Sequence, residues 1–457
     1  MNNTEKLVEP VNKGLFLFFG GFENTYKGRD WMGNGAYMAI VIFIIAYGLI
    51  ISEKIHRTII AMIGGALMIF SGIVSQHQAL EHVDFNTLGL LIGMMIMVSV
   101  TSETGLFKYI AVWAGKKVKG RPVPLLIVLA VMTAVGSAFL DNVTTVLLVV
   151  PITFSMTRLL KLDPVPYLIT EILMANIGGT ATMIGDPPNI MIGSSVPGLG
   201  FMDFIVHLAP IVLLISVLIL LLLILIYRKR LHTTAAVQKE LLRLDEKSEL
   251  TDRLMMIKSV SILCLTIFGF FIHQFIHVES ATIALGGAFV LLLLTGKKVL
   301  ERALSAVEWP TIFFFLGLFV LVSGLIETGV MRQLAEAAIA FTGGDLRKTS
   351  FLVLWLSAMA SAFVDNIPFV ATMIPLIKDM GQMGITNLEP LWWSLALGAC
   401  LGGNGTLIGA SANLLVAGLA GREGHTISFV RYMGIGLLVM VISVTLAMSY
   451  IYLRYLL

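Results

Sequence analysis

Long apolar runs separated by short polar segments make up most of this chain. A run of about 17–25 apolar residues is long enough to cross a hydrocarbon core of about 30 Å as a helix. On this pattern we predict ten membrane spans, near residues 35–51, 57–74, 86–102, 164–192, 204–227, 259–276, 280–296, 309–326, 391–417 and 432–453. Two further apolar stretches, 123–157 and 350–377, are each interrupted near the middle by an Asp-Asn pair.

The two interrupted stretches belong to an internal repeat with a nearly constant shift of 224 residues. Across 134–154 and 358–378, eight of 21 positions are identical, including the Asp-Asn pair and a later proline. The segment "NIGGTATMIGDPPN" at 176–189 matches "CLGGNGTLIGASAN" at 400–413 at six of 14 positions. Similarity of this length indicates duplication. An odd number of crossings separates matched spans, so the second half is predicted to be inverted, as in many secondary transporters.

The pairs Asp141-Asn142 and Asp365-Asn366 allow two interpretations. Asp and Asn are favoured helix N-caps, so each pair could begin a helix in a loop outside the membrane. The flanking arms are also long enough to cross the whole core. We favour re-entrant hairpins, because apolar residues flank both pairs and the same Asp-Asn interruption recurs at the mirrored position of the repeat. Irregular backbone at that depth is tolerated where it lines a cavity or is buried in protein.

The spans 164–192 and 391–417 are predicted to be broken helices. Glycines interrupt both, and Pro187-Pro188 follows the first break. Close packing through small residues would explain the glycines, but it would not explain the accompanying hydroxyls, amides and Asp186. Helices broken in this way expose half-helix termini and free carbonyls to ions.

The polar residues at the hairpin tips and helix breaks are the candidate binding residues. They are Asp141, Asn142, Thr144, Thr145, Asn176, Thr180, Thr182, Asp186, Asn189, Asp365, Asn366, Asn404, Thr406, Ser411 and Asn413. Candidate Na⁺ ligands among them are Asp141, Asn142, Thr182, Asp365, Asn366 and Thr406. Glu171, inside a span, is either functional or structurally paired. Asp84 and Glu308 are interpreted as structural, because a carboxylate at a helix start favours the dipole.

Composition supports the membrane assignment. The 457 residues are 57% hydrophobic and 13% charged, whereas a soluble domain is about 25% charged. The net charge of +3 is too small to indicate nucleic-acid binding. Cys264 and Cys400 lie in apolar runs, which excludes a disulfide framework and indicates small buried side chains. Residues 1–34 lack the features of a signal peptide, and the apolar segment 14–22 is predicted to lie at a membrane interface.

Lys and Arg predict the orientation. They concentrate in alternate connections, whereas loops 75–85 and 193–203 contain none. The positive-inside rule then places the N-terminus outside the cell membrane. The charged segment 228–257 is predicted to be a cytoplasmic linker with an amphipathic helix.

Three motifs carry a resemblance to a known family. "SAFLDNVTT", "NIGGTATMIGDPPN" and "GACLGGNGTLIGASAN" resemble signatures of the ion transporter superfamily, most closely of its P-protein-like members. This superfamily includes arsenite permeases, D-type sodium/proton antiporters, citrate-type permeases and divalent-anion/sodium symporters. The similarity runs from about Lys54 to the C-terminus. The symporters carry Ser-Asn-Thr at the hairpin tips where this chain has Leu-Asp-Asn and Val-Asp-Asn, which disfavours a dicarboxylate substrate.

The resemblance implies an all-α polytopic membrane protein. Each inverted half would contain five spans, a re-entrant hairpin and a broken helix, and the protein would form a homodimer. Transport domains would move against scaffolds. The implied boundaries are an extracytoplasmic segment 1–34, a first scaffold 35–120, a first transport unit 121–227, a linker 228–257, a second scaffold 258–345 and a second transport unit 346–457.

The charge of the motifs bears on the substrate. Asp141, Asp186 and Asp365 would meet without any Lys or Arg among the motif residues, so they would repel a dianion unless protons or cations neutralise them. We therefore expect Na⁺(cation)/H⁺ antiport by alternating access, with Na⁺ or H⁺ as coupling ion and no cofactor. The alternatives are an H⁺- or Na⁺-coupled permease for a small anion or arsenite, and a P-protein-like anion channel or transporter. The segment "IGDPP" only weakly resembles a membrane aspartyl protease motif, since Ile184 replaces its first glycine, so no enzyme activity is expected.

Overall fold

The computed structural model describes residues 34–52, 54–234 and 245–457, together with Gln238 and Leu242. All regular structure in these residues is helical. The first half contains α1 (Asn34–Ser52), α2 (Arg57–Phe70), α3 (Gln76–Glu81), α4 (Phe85–Glu103), α5 (Leu106–Lys117), α6 (Pro122–Leu140), α7 (Asn142–Leu159), α8 (Val165–Gly179), α9 (Pro187–Ser195), α10 (Phe201–His207) and α11 (Ala209–Tyr227).

The second half begins after a short 3₁₀ turn at Glu246–Glu249. It contains α12 (Arg253–Ile276), α13 (Ser280–Thr295), α14 (Lys297–Ser305), α15 (Trp309–Glu327), α16 (Val330–Thr342), α17 (Leu346–Phe363), α18 (Asn366–Gln382), α19 (Glu389–Gly402), α20 (Ser411–Arg422) and α21 (Phe429–Ile451). A π-helical turn, Tyr452–Leu456, extends α21.

Eight helices in the described part of the chain are long and apolar enough to cross a membrane. They are α1, α4, α6, α7, α11, α12, α15 and α21. Helices α2 and α13 are apolar but shorter. The predicted span 204–227 is divided into two helices. Helix α10 ends at His207, and α11 begins at Ala209 with Pro210 in its first turn, where a proline is tolerated.

Each Asp-Asn pair separates two helices. Asp141 follows α6 with a φ of 81° and accepts hydrogen bonds from the residue three positions into α7. The arms fold back on one another, since a Cβ added at Gly136 would lie 3.1 Å from Cγ2 of Thr145. In the second copy, Asp365 begins α18 by accepting the Ile367 N–H at 3.4 Å. The Asp residues therefore cap helices and also mark chain reversals.

Helices of the two halves recur at the shift of 224 residues. The pairings between them are exchanged: α2 of the first half packs on α15 of the second, and α13 packs on α4. Within the halves, α6 packs on α8 and α17 packs on α19. These four pairs form the main contacts of the core. Two of them place each hairpin beside the broken helix of its own half, and contacts of α9 with α18 and of α20 with α7 bring the two halves together.

Three predictions fall wholly or partly outside the described residues. They are the extracytoplasmic segment 1–34, the interfacial segment 14–22 within it, and the central part of the linker 228–257. Where the linker is described, Lys116 Nζ contacts Glu246 Oε2 at 2.5 Å, so its end lies against α5. Helix α12 begins at Arg253, inside the predicted linker.

We expect Gly178→Ala and Gly402→Ala to destabilise the protein. An added Cβ would lie 2.2 Å from the Ala134 carbonyl oxygen in the first case and 2.5 Å from that of Ala358 in the second. Overpacking of this kind costs typically about 1–3 kcal/mol, which exceeds the gain of about 1 kcal/mol from better helix propensity. The melting temperature in detergent should therefore fall for both variants.

Gly418→Ala is the matched control for this experiment. Gly418 also lies inside a helix, and nothing lies within 4 Å of the Cβ position. Its variant should melt at or above the natural temperature. Equal melting of Gly178→Ala and Gly418→Ala would contradict the close crossing of α6 and α8.

Candidate functional site

Asp186 lies where the two hairpin tips meet. It precedes α9 in an extended conformation, and its carboxylate makes no cap bond to that helix. Asn142 Nδ2 donates to Asp186 Oδ1 at 3.5 Å, and Asn366 Nδ2 donates to both carboxylate oxygens at 3.3 Å. Asp186 is fully buried. One acid in a broken helix thus joins the two copies of the repeat.

An amide network extends from this carboxylate into the second half. Asn142 Nδ2 also lies 3.3 Å from Asn176 Oδ1. Asn176 Nδ2 in turn donates to Asn404 Oδ1 and Asn413 Oδ1, each at 2.9 Å. Buried polar networks whose members are satisfied rigidify a core and specify one arrangement. This network holds the two broken helices together.

The candidate threonines tie the helix breaks to neighbouring backbone. Thr182 Oγ1 donates to the carbonyl of Ala138 in the first hairpin. At the mirrored position, Thr406 Oγ1 donates to the carbonyl of Ala362 at 2.5 Å. Thr180 Oγ1 donates within its own helix at 2.7 Å. The hydroxyls of Thr182 and Thr406, both candidate Na⁺ ligands, therefore hold the helix breaks against the hairpins.

Asn189 and Asn413 close the loops that precede their helices. Asn189 Nδ2 donates to the carbonyl of Thr182 at 2.9 Å. Asn413 Nδ2 makes the equivalent bond to Thr406 at 2.9 Å and a second bond to Gly403 at 2.8 Å. Both side chains are fully buried. Their amide N–H groups satisfy carbonyls that the broken helices leave without partners.

The tip of the first hairpin contains the remaining candidates. Thr144 donates to Asp141 from its backbone N–H at 2.9 Å and from its hydroxyl at 2.6 Å. Thr145 Oγ1 is buried and has no hydrogen-bond partner in the described part of the chain.

Two neighbouring cavities lie at the hairpin tips. The inner cavity has a volume of about 30 Å³, room for roughly one water. Its polar lining consists of Arg57, Asp141, Asn142, Asp186, Glu308, Thr311, Asn366 and Ser411. The vestibule has a volume of about 250 Å³ and is lined by Asp365 and by residues of α1, α2 and α20. Arg57 and Ser411 line both cavities.

The structure places some of the candidates in the cavity linings and the others outside them. The inner cavity is lined by Asp141, Asn142, Asp186, Asn366 and Ser411, and the vestibule by Asp365 and Ser411. The others lie outside both linings: Thr144, Thr145, Asn176, Thr180, Thr182, Asn189, Asn404, Thr406 and Asn413.

Arg57 is a cavity residue that sequence reasoning missed. Its Nη1 contacts the carboxylate of Asp365 and donates to Ser411 Oγ at 2.7 Å. Its guanidinium lies over the ring of Phe314, 4.9 Å from the centroid. No Lys or Arg lies among the motif residues, so the sequence predicted a site without a cationic side chain. One signal in the sequence could have revealed Arg57. The two copies of the repeat differ at this position, because Ala281 occupies the position that mirrors Arg57.

Glu308 was interpreted as a helix-opening carboxylate, and its side chain does not cap α15. It lines the inner cavity instead and accepts the Thr311 hydroxyl at 3.2 Å. The structural interpretation suits its counterpart Asp84, which accepts the backbone N–H groups of Asn86 and Thr87 at 3.0 Å. Mirrored positions with similar chemistry thus have different surroundings.

Two other buried groups lie outside the cavity linings. Glu171 accepts the hydroxyl of Thr153, and its Oε2 has no partner in the described residues. Both cysteines were interpreted from the sequence as small buried side chains, but Cys264 is exposed. Cys400 is buried, its Sγ lies 3.6 Å from Asn189 Oδ1, and it interacts with Asp186. Cys400 therefore belongs to the buried surroundings of the central carboxylate.

Known proteins resemble this chain over most of its length. The family described as "Citrate transporter" matches residues 47–398. An uncharacterized transporter of Mycobacterium tuberculosis is 40% identical over 424 residues, 92% of this chain and 98% of that protein. The P protein of Mus musculus is 37% identical over 495 residues, 90% of this chain and 59% of that protein.

A solved structure shares the fold. The crystal structure of the Alcanivorax borkumensis YdaH transporter matches with a TM-score of 0.62 and covers 93% of this chain and 99% of that one. The two sequences are 13% identical, so this similarity concerns the fold alone.

Proposed function

The chain belongs to the citrate transporter family, and we propose that it is a secondary active transporter that exchanges Na⁺ or a similar cation for protons. Membership agrees with the resemblance to the ion transporter superfamily and with the all-helical polytopic fold. The matching family and the mycobacterial relative are named as transporters, so the protein is assigned to transport rather than to an enzymatic reaction. The ion and the coupling are the parts that we propose.

The observation that carries this proposal is the setting of Asp186. Its buried carboxylate accepts long amide hydrogen bonds, of 3.3 and 3.5 Å, from the two hairpin tips, and it also interacts with the neutral side chain of Cys400. Keeping an ionised carboxylate at that depth is costly unless a partner compensates it. A bound cation or a proton compensates the charge directly. The adjoining Asp141 and Glu308 increase the negative charge around the inner cavity.

Exchange follows from competition for the same oxygens. A carboxylate that holds Na⁺ is deprotonated, and protonation releases the Na⁺, so the two ions alternate on one site. Hairpins that carry the site while scaffold helices stay fixed would expose it to each side in turn. Lower pH should therefore reduce the apparent affinity for Na⁺.

A second candidate function rests on Arg57. A guanidinium is suited to carboxylate recognition, and Arg57 lines both cavities. Together with the family description, this favours a Na⁺- or H⁺-coupled permease for citrate or another small anion. In that mechanism the cation would bind first and lower the negative charge of the inner cavity. Arsenite uptake belongs to the same class of coupled permeation.

Proteoliposomes that contain a pH-sensitive dye distinguish these functions. An imposed Na⁺ gradient should drive protons across the membrane, whereas an equal choline gradient should not. Citrate, other small anions and arsenite, each supplied with and without Na⁺, form the second arm. Proton movement with Na⁺ alone supports exchange. Substrate uptake that requires Na⁺ or H⁺, without exchange by Na⁺ alone, would replace it with the second candidate.

The proposal places the protein in the cell membrane as a homodimer with its N-terminus outside. The distribution of Lys and Arg supports this orientation. An epitope tag before Met1 should be protease-accessible in intact cells, and a tag after Leu457 should show on which side the chain ends. Cross-linking in native membranes should trap a dimer. Protection of the N-terminal tag or a purely monomeric pattern would contradict these two parts.

A further inference from the structure

We propose that Arg57 is a tethered cation that competes with the transported cation for Asp365. The inference rests on the proposed cation transport. It assigns different tasks to two carboxylates that the repeat places at equivalent positions. Asp141 stays available to a mobile ion, whereas Asp365 is occupied by an ion that belongs to the protein.

The first observation is the difference between the two hairpin tips. Asp141 receives two hydrogen bonds from Thr144, one from its backbone N–H and one from its hydroxyl. The mirrored residue is Pro368, which has neither an N–H nor a hydroxyl. Asp365 therefore lacks both donors, and Arg57 and a serine hydroxyl take their place.

The second observation is the support around Arg57, which exists only on this side of the repeat. Ser411 donates to the Asp365 carboxylate at 2.7 Å and accepts from Arg57 Nη1 at 2.7 Å. The residues mirrored to Arg57 and Ser411 are Ala281 and Pro187, neither of which carries a polar side chain. The asymmetry therefore involves the cation and the bridging hydroxyl, whereas the counter-ion Asp365 is matched by Asp141.

The third observation is the position of the ion pair between the cavities. Arg57 belongs to α2, which packs on α15, whereas Asp365 and Ser411 belong to the second hairpin and α20. Arg57 and Ser411 line both the vestibule and the inner cavity. The ion pair therefore lies between the vestibule, which Asp365 lines, and the inner cavity, which Asp186 lines. The Arg57 and Asp365 side chains are 27% and 12% exposed, so water only partly screens their attraction.

The site therefore binds one mobile cation fewer than the two equivalent carboxylates, Asp141 and Asp365, would predict. While Arg57 contacts Asp365, a Na⁺ at the same oxygens would face a like charge in a partly buried place. Removal of the guanidinium frees Asp365 for a mobile ion. Lys at position 57 keeps the charge and should keep the competition.

Equilibrium binding of radioactive Na⁺ to the purified protein in detergent tests this. Arg57→Ala should bind one more Na⁺ per chain than the natural protein. Arg57→Lys should bind the same number of Na⁺ ions as the natural protein. The double variant Arg57→Ala, Asp365→Asn should bind the same number of Na⁺ ions as the natural protein, because the additional ion would bind to Asp365. Arg57→Gln, measured in parallel, provides a second neutral side chain with more of the original length.

Arg302→Ala is the matched control. Arg302 also forms an ion pair from a scaffold helix, with Nη2 3.2 Å from Glu103 Oε2, and it lies outside both cavity linings. Its loss should leave Na⁺ binding unchanged. If the natural protein binds Na⁺ and neither neutral variant binds more, the tethered cation is wrong while the proposed transport stands. If the natural protein binds none, the proposed cation transport is wrong, and a gain by Arg57→Ala would still support the competition.

Discussion

Asp186→Asn is expected to abolish cation-coupled transport while leaving the fold intact. Asn has nearly the same shape, but it loses the charge and one acceptor oxygen at the point where Asn142 and Asn366 both donate. Loss of a charged ligand at the inner cavity should lower the apparent affinity for the transported cation by about 100-fold, which corresponds to about 3 kcal/mol. Na⁺-driven proton flux in proteoliposomes is the measurement, with size-exclusion profiles to confirm folding.

Glu171→Gln is the matched control, since it also neutralises a fully buried carboxylate in the first half. Glu171 bonds to Thr153 and lies outside both cavity linings. We expect this variant to retain transport within a few-fold of the natural rate. Comparable losses in Asp186→Asn and Glu171→Gln would contradict the central role of Asp186 and would make Glu171 part of the ion path.

Asp141→Asn and Asp365→Asn are each expected to stop transport, for different physical reasons. Asp141→Asn removes a ligand at the inner cavity. Asp365→Asn leaves Arg57 in a partly buried place without its counter-charge, which is costly by about 3–5 kcal/mol. Both losses should reach about 100-fold in Na⁺-driven proton flux, at about 1.4 kcal/mol for each tenfold.

A second substitution separates the two causes. Adding Arg57→Ala to Asp365→Asn removes the unpaired charge and should restore flux to within about tenfold of the natural protein, a residual cost of about 1.4 kcal/mol. Adding Arg57→Ala to Asp141→Asn should restore nothing. Asp84→Asn serves as a control, because Asp84 caps α4 outside both cavities and Asn is an equally favoured N-cap, so transport should stay within a few-fold of the unsubstituted protein. Rescue of both double variants, or of neither, would contradict the different roles proposed for Asp141, which binds the mobile ion, and Asp365, which pairs with Arg57.

Much of the fold was predictable because its signals are local. Apolar runs of spanning length, the Asp-Asn pairs and the Gly-Pro motifs each act within a few residues on helix formation and termination. The predicted break in 164–192 appears as the interval between α8 and α9, and that in 391–417 as the interval between α19 and α20. The divided span 204–227 was missed, because one proline in an apolar run does not show from sequence alone whether it kinks or ends a helix.

The site was predictable as a place, but only in part as a set of side chains. The hairpin tips and Asp186 do line one cavity. Thr182 and Thr406, predicted as Na⁺ ligands, lie outside both cavity linings and donate to hairpin carbonyls, so their role as ligands stays a prediction. An oxygen-bearing side chain near a helix break suits either role, and its choice depends on which backbone carbonyl the neighbouring segment presents.

By itself, the sequence determined the membrane environment, the duplication, the helix breaks and the family, since these depend on composition and on patterns read along the chain. Only the tertiary structure decided the charge of the site. Arg57 and Asp365 are 308 residues apart and meet because α2 packs on the opposite half. The Coulomb interaction depends on distance in space, so a cation far along the chain changes the chemistry of a carboxylate that the repeat alone would make equivalent to Asp141.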